Sequence, residues 1–445
     1  MRNPLHHSSQ PFRLPDFSAI RPEHVMPALE SLLETYRNGV EEWLESGSPS
    51  GWAMVEAELA WADDLSRAWS PVSHLNSVAD NEDLRQAYNA GLERLTEHEN
   101  WRQQQVDIYR AYQDLHDAPE FKQLSPVQQR IVKLELRDFH LAGVTLAEEK
   151  QADYRRLVLR MSKLGAKFGE NLLDATRAWT RHFEDASGLE GLPDAELKML
   201  AGLARAHGKS GWLVDLSHPS FNAVLTHAED QDLRKEVYKA YVTRASDQGP
   251  AAGQWDNAPL IREILSLRHQ LAQLLGFDNY VEYALSRRMA ESPAHVLSFL
   301  EKLAEQAVPA AKEQFARLEA FAADRNAHIP LHAWDIAYWS ERYRQAELQL
   351  SDEALKPFFP LERMLEAVFY TAGRLFNISM IPDDTVASWH PDVRFYWLQD
   401  QAGQRFAGLF MDLFARPDKR GGAWMDVCLS RRKLDQSMQL PMAYL

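Results

Sequence analysis

The sequence predicts a mainly helical protein that closes on a small antiparallel β-meander near its C-terminus. Two periodicities carry this reading. From about residue 25 to residue 375, apolar side chains recur every three or four positions, the repeat of one helix face. After Trp389 the period falls to two, as in a half-buried strand. Strict heptads, low-complexity tracts and internal repeats are absent from the sequence, which removes solenoids and propellers from consideration.

Taken in order, a Pro-rich lead-in gives way to a helix over "RPEHVMPALESLLETYRNGVEEWLES", where Val25, Leu29, Leu32, Leu33 and Tyr36 share a face. Helical patterns follow from Trp52 to Trp69, from Glu82 to His116 and from Ser125 to Phe139. The longest runs from about Ala147 past Trp179 and contains Gly165 and Gly169. Each glycine costs about 1 kcal/mol of helix propensity relative to alanine, so close approach by a neighbouring helix is expected there. "LVDLSHPSFNAVL" predicts a short extended stretch near residue 213 and a boundary between an N-terminal helical domain, 1–220, and a second domain, 221–445. Glu229 to Ser246 predicts a helix, and so does "DNAPLIREILSLRHQLAQLLGF", with Asn257 as N-cap, Pro259 in the first turn and Gly276 after the last. Pro293 to Arg325, Trp334 to Leu350 and Leu361 to Leu375 complete the helices. "VRFYWLQDQAGQRFAGLFMDLF" then predicts a hairpin turning at about Asp400 to Gln404, and "AWMDVCLS" and "MQLPMAYL" add two strands.

Composition narrows the function. Lys plus Arg number 49 against 64 Asp plus Glu, a net charge of -15, so a phosphate-binding surface is not the expected role and nucleic acid is excluded as a partner. Cys428 is the one cysteine, which rules out an internal disulfide and predicts a plain buried thiol. The N-terminus carries prolines and polar residues where a signal peptide needs an apolar core, and no apolar run is long enough for a membrane span. A cytoplasmic protein without membrane association is expected.

Common catalytic signatures are missing: no phosphate-binding glycine loop, no dinucleotide fingerprint and no nucleophile elbow. None of the 16 histidines forms an H-E-x-x-H helix, which would place two zinc ligands and a general base on one face. His328 and His332 have the i, i+4 spacing, but Pro330 between them argues against a continuous helix. His6 and His7 lie in the lead-in. In "WHPDVRF", Asp392 could orient His390 or Arg394 could recognise a carboxylate, against a plain turn set by Pro391. "WDIAYWSER" reads as aromatic core with a charged rim. In "KRGGAWMD", Gly421 and Gly422 before a strand either permit close backbone approach by another chain or serve a turn.

Several stretches together resemble the zinc-dependent oligopeptidases of the thimet oligopeptidase and oligopeptidase A group: "SPVSHLNSV", "YVTRASDQG", "LRHQLAQLLGFDNY", "WDIAYWSER", "WHPDVRF" and "KRGGAWMD". The resemblance covers the chain from the lead-in to Leu445. It implies a clam-like, mostly helical metallopeptidase, a monomer acting on short peptides in the cytoplasm. It also implies that the zinc helix, a downstream glutamate ligand and the groups holding the transition state follow the meander. The expectation is therefore an N-terminal part truncated before the zinc site, with 221–445 the incomplete start of the catalytic domain. No catalytic or metal residue is expected in this chain, and no zinc is bound by it alone. Gly421, Gly422 and Ala423, leading into a strand at Trp424, are the expected peptide-binding wall. The alternatives are a non-catalytic helical peptide-binding module and a remnant without function.

Overall fold

The protein is described by a computed structural model over residues 3–6, 13–434 and 437–445, apart from the side chains of Asp352 and Leu434; His7 lies outside the described residues. Helices dominate. A 3-10 turn, Pro22–His24, leads into α1 (Val25–Ser46), followed by α2 (Trp52–Val78), α3 (Glu82–Gln103), α4 (Val106–Asp117), α5 (Pro126–Leu141) and α6 (Glu148–Ala178). Next come β1 (Thr180–Phe183), α7 (Asp194–Ala206), β2 (Trp212–Asp215), α8 (His218–His227), α9 (Gln231–Val242) and α10 (Ala258–Leu274). Then follow α11 (Tyr280–Leu285), α12 (Pro293–Ala323), α13 (Ile336–Leu348), α14 (Asp352–Leu355) and α15 (Leu361–Phe376). The strands β3 (Ser379–Pro382), β4 (Arg394–Gln399), β5 (Arg405–Met411), β6 (Asp426–Leu429), β7 (Arg432–Leu434), β8 (Ser437–Gln439) and β9 (Met442–Tyr444) close the chain.

Two compact units result, one from residues 1–166 with 366–445 and the other from 167–365. The expected domain boundary near residue 220 falls within α8 of the second unit.

In the first unit, α1 to α5 share one apolar core with the strands near the C-terminus. Val25, Leu29, Ile108 and Phe139 belong to the same cluster as Phe395, Phe410, Met442 and Tyr444. Helix α2 runs past the expected end at Trp69 and through Pro71, because Ala68, Val72, Leu75 and Val78 continue its buried face. The burial of that face outweighs the hydrogen bond that proline cannot donate. The run from Glu82 to His116 is two helices, divided at Gln104, whose buried side chain donates to the carbonyls of Ala142 and Gln151. Ser125 caps α5 reciprocally with Gln128, as its spacing suggests.

A five-stranded sheet, in the order β3-β4-β5-β9-β6, covers one side of this core. The expected hairpin is present as β4 and β5, with Asp400 accepting from the amides of Ala402 and Gln404. Strand β3 precedes the expected onset of strands. After β6 the chain makes the separate β7–β8 hairpin and returns as β9 between β5 and β6, parallel to the first and antiparallel to the second.

In the second unit, β1 and β2 pair antiparallel, so the pattern past Trp179 ends as a strand rather than as helix. Leu200, Val214, Val224, Leu233 and Val237 form its core. Two expectations are corrected here. A Cβ at Gly165, in the first unit, or at Gly169, in the second, would meet nothing within 4 Å, so among the described residues no helix packs closely on those glycines of α6. Asn257 has helical dihedrals and makes no capping bond. Its buried side chain instead accepts from Asn171 at 2.9 Å and donates to the Phe168 carbonyl at 3.1 Å. "WDIAYWSER" packs its aromatics inward, but its acids Asp335 and Glu341 are buried rather than on the rim.

Candidate peptide-docking site

The segment from Asp412 to Leu429 is held at both ends and open in the middle. At its start, Asp412 follows β5 and is buried. Its carboxylate receives two N–H groups from Arg416, at 2.7 and 2.6 Å, and one from Trp389 at 2.9 Å. Lys419 Nζ lies 3.1 Å from the same carboxylate and donates to the Asp412 carbonyl. Burial opposes ionisation of Asp412, but these hydrogen bonds outweigh it and hold the carboxyl down at about 2. The acid therefore stays charged and fixes both cations.

The C-terminal end of α2 grips the same segment. Arg420 N–H donates to the Ser77 carbonyl at 2.8 Å, and Asp80 N–H donates to the Asp418 carbonyl at 3.1 Å. Arg420 also lies over the Trp424 ring at 4.5 Å.

From Gly421 to Met425 the backbone makes no hydrogen bond to other backbone among the described residues. Gly421, Gly422 and Ala423 are exposed, and a Cβ on either glycine would meet open space. Gly422 has φ +108, a conformation that only glycine adopts readily. The strand expected at Trp424 begins at Asp426, two residues later. It is the sheet's edge, and Ser70 Oγ donates to the Val427 carbonyl at 2.7 Å. Ser70 thus covers one acceptor of β6 and leaves the stretch before it unpaired.

Behind the edge the packing is aromatic and buried. Cys428 is buried, and its thiol is pushed up to about 12 by burial. His74 stacks on Tyr444 at 3.7 Å, and burial pushes it down to about 3. Both are inert packing groups at neutral pH.

Trp389 of "WHPDVRF" reaches this segment through Asp412, but the other sequence candidates do not converge on it. His390 Nδ1 accepts from the Asp392 amide at 3.2 Å, and the His390 carbonyl accepts from the Val393 amide, so "WHPDVRF" satisfies a local turn. His328 and His332 occupy an irregular stretch, with His332 stacked on Trp334. His6 is exposed in the lead-in. Among the described residues no group of three His, Cys, Asp or Glu is placed to hold a metal ion. Sequence reading missed the clamp of Asp412, Arg416, Lys419, Ser70 and Ser77. The charge run "RPDKR" beside two glycines was its one local signal.

Comparison with known proteins agrees with the resemblance. Residues 224–445 match the sequence profile of Peptidase family M3, and residues 29–151 that of the Neurolysin/Thimet oligopeptidase N-terminal domain. Oligopeptidase A of Salmonella typhimurium is 44% identical over 447 residues, covering 100% of this chain and 65% of the relative. Oligopeptidase A of Escherichia coli gives the same identity and coverage, and that of Haemophilus influenzae is 42% identical over 97% of this chain and 64% of its own length. The chain therefore spans just under two thirds of the length of the relatives it matches. No helix among the described residues is long and apolar enough to cross a membrane.

Proposed function

This chain belongs to peptidase family M3, and on that premise we propose that it is the peptide-docking part of a cytoplasmic zinc oligopeptidase that hydrolyses short peptides. The zinc and the groups that activate water belong, on this reading, to residues outside 1–445. What this chain contributes is a wall of free main chain. The observation that carries the assignment is the exposed backbone of Gly421 to Ala423, which with Trp424 and Met425 makes no backbone pairing among the described residues and leads into an edge strand. A peptide laid along it can add as a strand, pairing main chain to main chain, and the glycines leave room for side chains of any size. Affinity then comes from the peptide backbone, which gives broad specificity. The clamp at Asp412 keeps the segment from collapsing onto the sheet, so little ordering cost falls on binding.

The test is peptide affinity of the chain, measured by fluorescence anisotropy with several unrelated labelled peptides. Gly421→Val is the informative variant, because its side chain would enter open space, whereas valine at Gly422 is strained by φ +108 whatever the peptide does. The expected result is at least about a tenfold loss of affinity, or 1.4 kcal/mol, with an unchanged circular dichroism spectrum. Unaltered affinity for all of the peptides returns the glycines to a role in the turn alone.

A further inference from the structure

The first unit also contains a cavity away from the segment above. It measures about 560 Å³ and opens among α1, α2, α3, α5 and α6. That volume lies within the roughly 300–1,000 Å³ typical of ligand pockets. Its apolar walls include Leu59, Leu65, Leu92 and Leu95, and its aromatic faces are Tyr36 and Trp69.

The polar lining is unbalanced. Glu58, Glu99 and Glu135 face the cavity with Arg102 as their one cation among the lining residues. That guanidinium is already committed, with Nε and Nη2 on Glu58 at 2.8 and 3.1 Å and Nη1 on Glu135 at 2.8 Å. Glu99 is exposed, its Oε1 accepts from the lining residue Gln103, and burial raises its carboxyl while the charge of Arg102 opposes that rise. His98 also lines the cavity, is 4% exposed, and its Nδ1 has no hydrogen-bond partner. Burial, helped by the nearby charges of Arg37 and Arg102, pushes this histidine down to about 4, so at neutral pH it adds no positive charge. A buried polar ring left unpaired is costly unless something else meets it.

We propose that this cavity binds an organic cation, a primary amine or guanidinium attached to a compact apolar body. The charged end sits toward Glu99 and Glu135, where excess negative charge attracts it. The body fills the leucine-lined interior beside Tyr36 and Trp69, whose rings add apolar contact. This site is independent of peptide docking at Gly421.

Isothermal titration of the intact chain at pH 7 with phenethylamine, 2-phenylethanol and phenylacetate tests it. One equivalent of phenethylamine is expected to bind saturably, with the alcohol at least about tenfold weaker and the acid not bound. Glu99→Gln changes an exposed acid and should weaken phenethylamine about fivefold without altering the fold, in line with loss of one charge contact. Leu95→Trp fills the cavity and should abolish binding; if it fails to fold, the ligand series and Glu99→Gln decide. A phenylalanyl tripeptide that competes with phenethylamine assigns the pocket to peptide N-termini, and one that does not assigns it to free amines; either result retains the cation site. Equal binding of the three ligands, no saturation up to about 10 mM, or unchanged affinity in Glu99→Gln overturns the proposal.

Discussion

Replacing Glu58 with glutamine removes one charge from the core of the first unit without changing its volume. Glu58 is 3% exposed and is fully engaged. Its Oε1 accepts from Tyr36 at 2.9 Å and Arg102 Nε at 2.8 Å, and its Oε2 accepts from Tyr112 at 2.6 Å and Arg102 Nη2 at 3.1 Å. An amide in its place turns one of those oxygens into an NH2 group, whichever way it lies. The tyrosine hydroxyl on that side can rotate to accept, but the guanidinium N–H cannot, so a donor faces a donor. Arg102 then keeps Glu135 as its remaining acid partner. Breaking a buried pair in this way costs about 3–5 kcal/mol.

Urea unfolding followed by circular dichroism measures the loss, and hydrogen exchange in α2 and α4 localises it to this unit. The pH dependence is signed. Burial raises the Glu58 carboxyl, but Arg102's charge and hydrogen bonds, with those of Tyr112 and Tyr36, outweigh it and hold the group below its ordinary 4.5. A depressed carboxyl contributes stability that is full above the unfolded value and is lost as pH falls through the folded one. The gap between Glu58→Gln and the unaltered protein should thus be largest at neutral pH and narrow below about 4.5. A loss under about 1 kcal/mol at pH 7, or a gap that widens in acid, refutes the assignment of this network as a stabilising ion pair.

Two further outcomes follow from the packing. Asn257→Ala should destabilise the second unit by about 1–3 kcal/mol, because the Phe168 carbonyl and the Asn171 amide lose their partner, and Asn257→Ser should not restore it despite serine's quality as a cap. Full rescue by serine in denaturant unfolding would mean that a capping role exists after all. Gly408→Ala should cost about 1–3 kcal/mol, because its Cβ would stand 2.4 Å from Met442 Sδ and 2.6 Å from the Phe395 ring. An unchanged denaturation midpoint would show that the sheet relaxes without strain.

The sequence by itself determined the helices and their ends where the signal is local. Apolar spacing gives the end of α1 at Ser46 and α12 to within two residues, the run from Ser125 marks the start of α5, and Gly276 follows α10 with a positive φ. It also determined the hairpin of β4 and β5, whose turn chemistry sits within a few residues of both strands. These features rest on hydrogen bonds between near neighbours, so a short window contains their cause. The tertiary structure alone decided where β9 goes, since its parallel pairing with β5 joins segments separated by the whole of β6, β7 and β8. It decided that Pro71 stays inside a helix, that Asn257 reaches α6 rather than capping α10, and that Glu58 finds Arg102 44 residues away. The segment from Asp412 to Leu429 divides in the same way. Its two glycines are visible in the sequence, but its anchoring rests on Ser70 reaching Val427 across 357 residues, on Ser77 of α2 accepting from Arg420 and on Asp80 donating to Asp418. Periodicity reports which face of an element is apolar; which distant element meets that face is set by packing and by the need of each buried polar group for a partner.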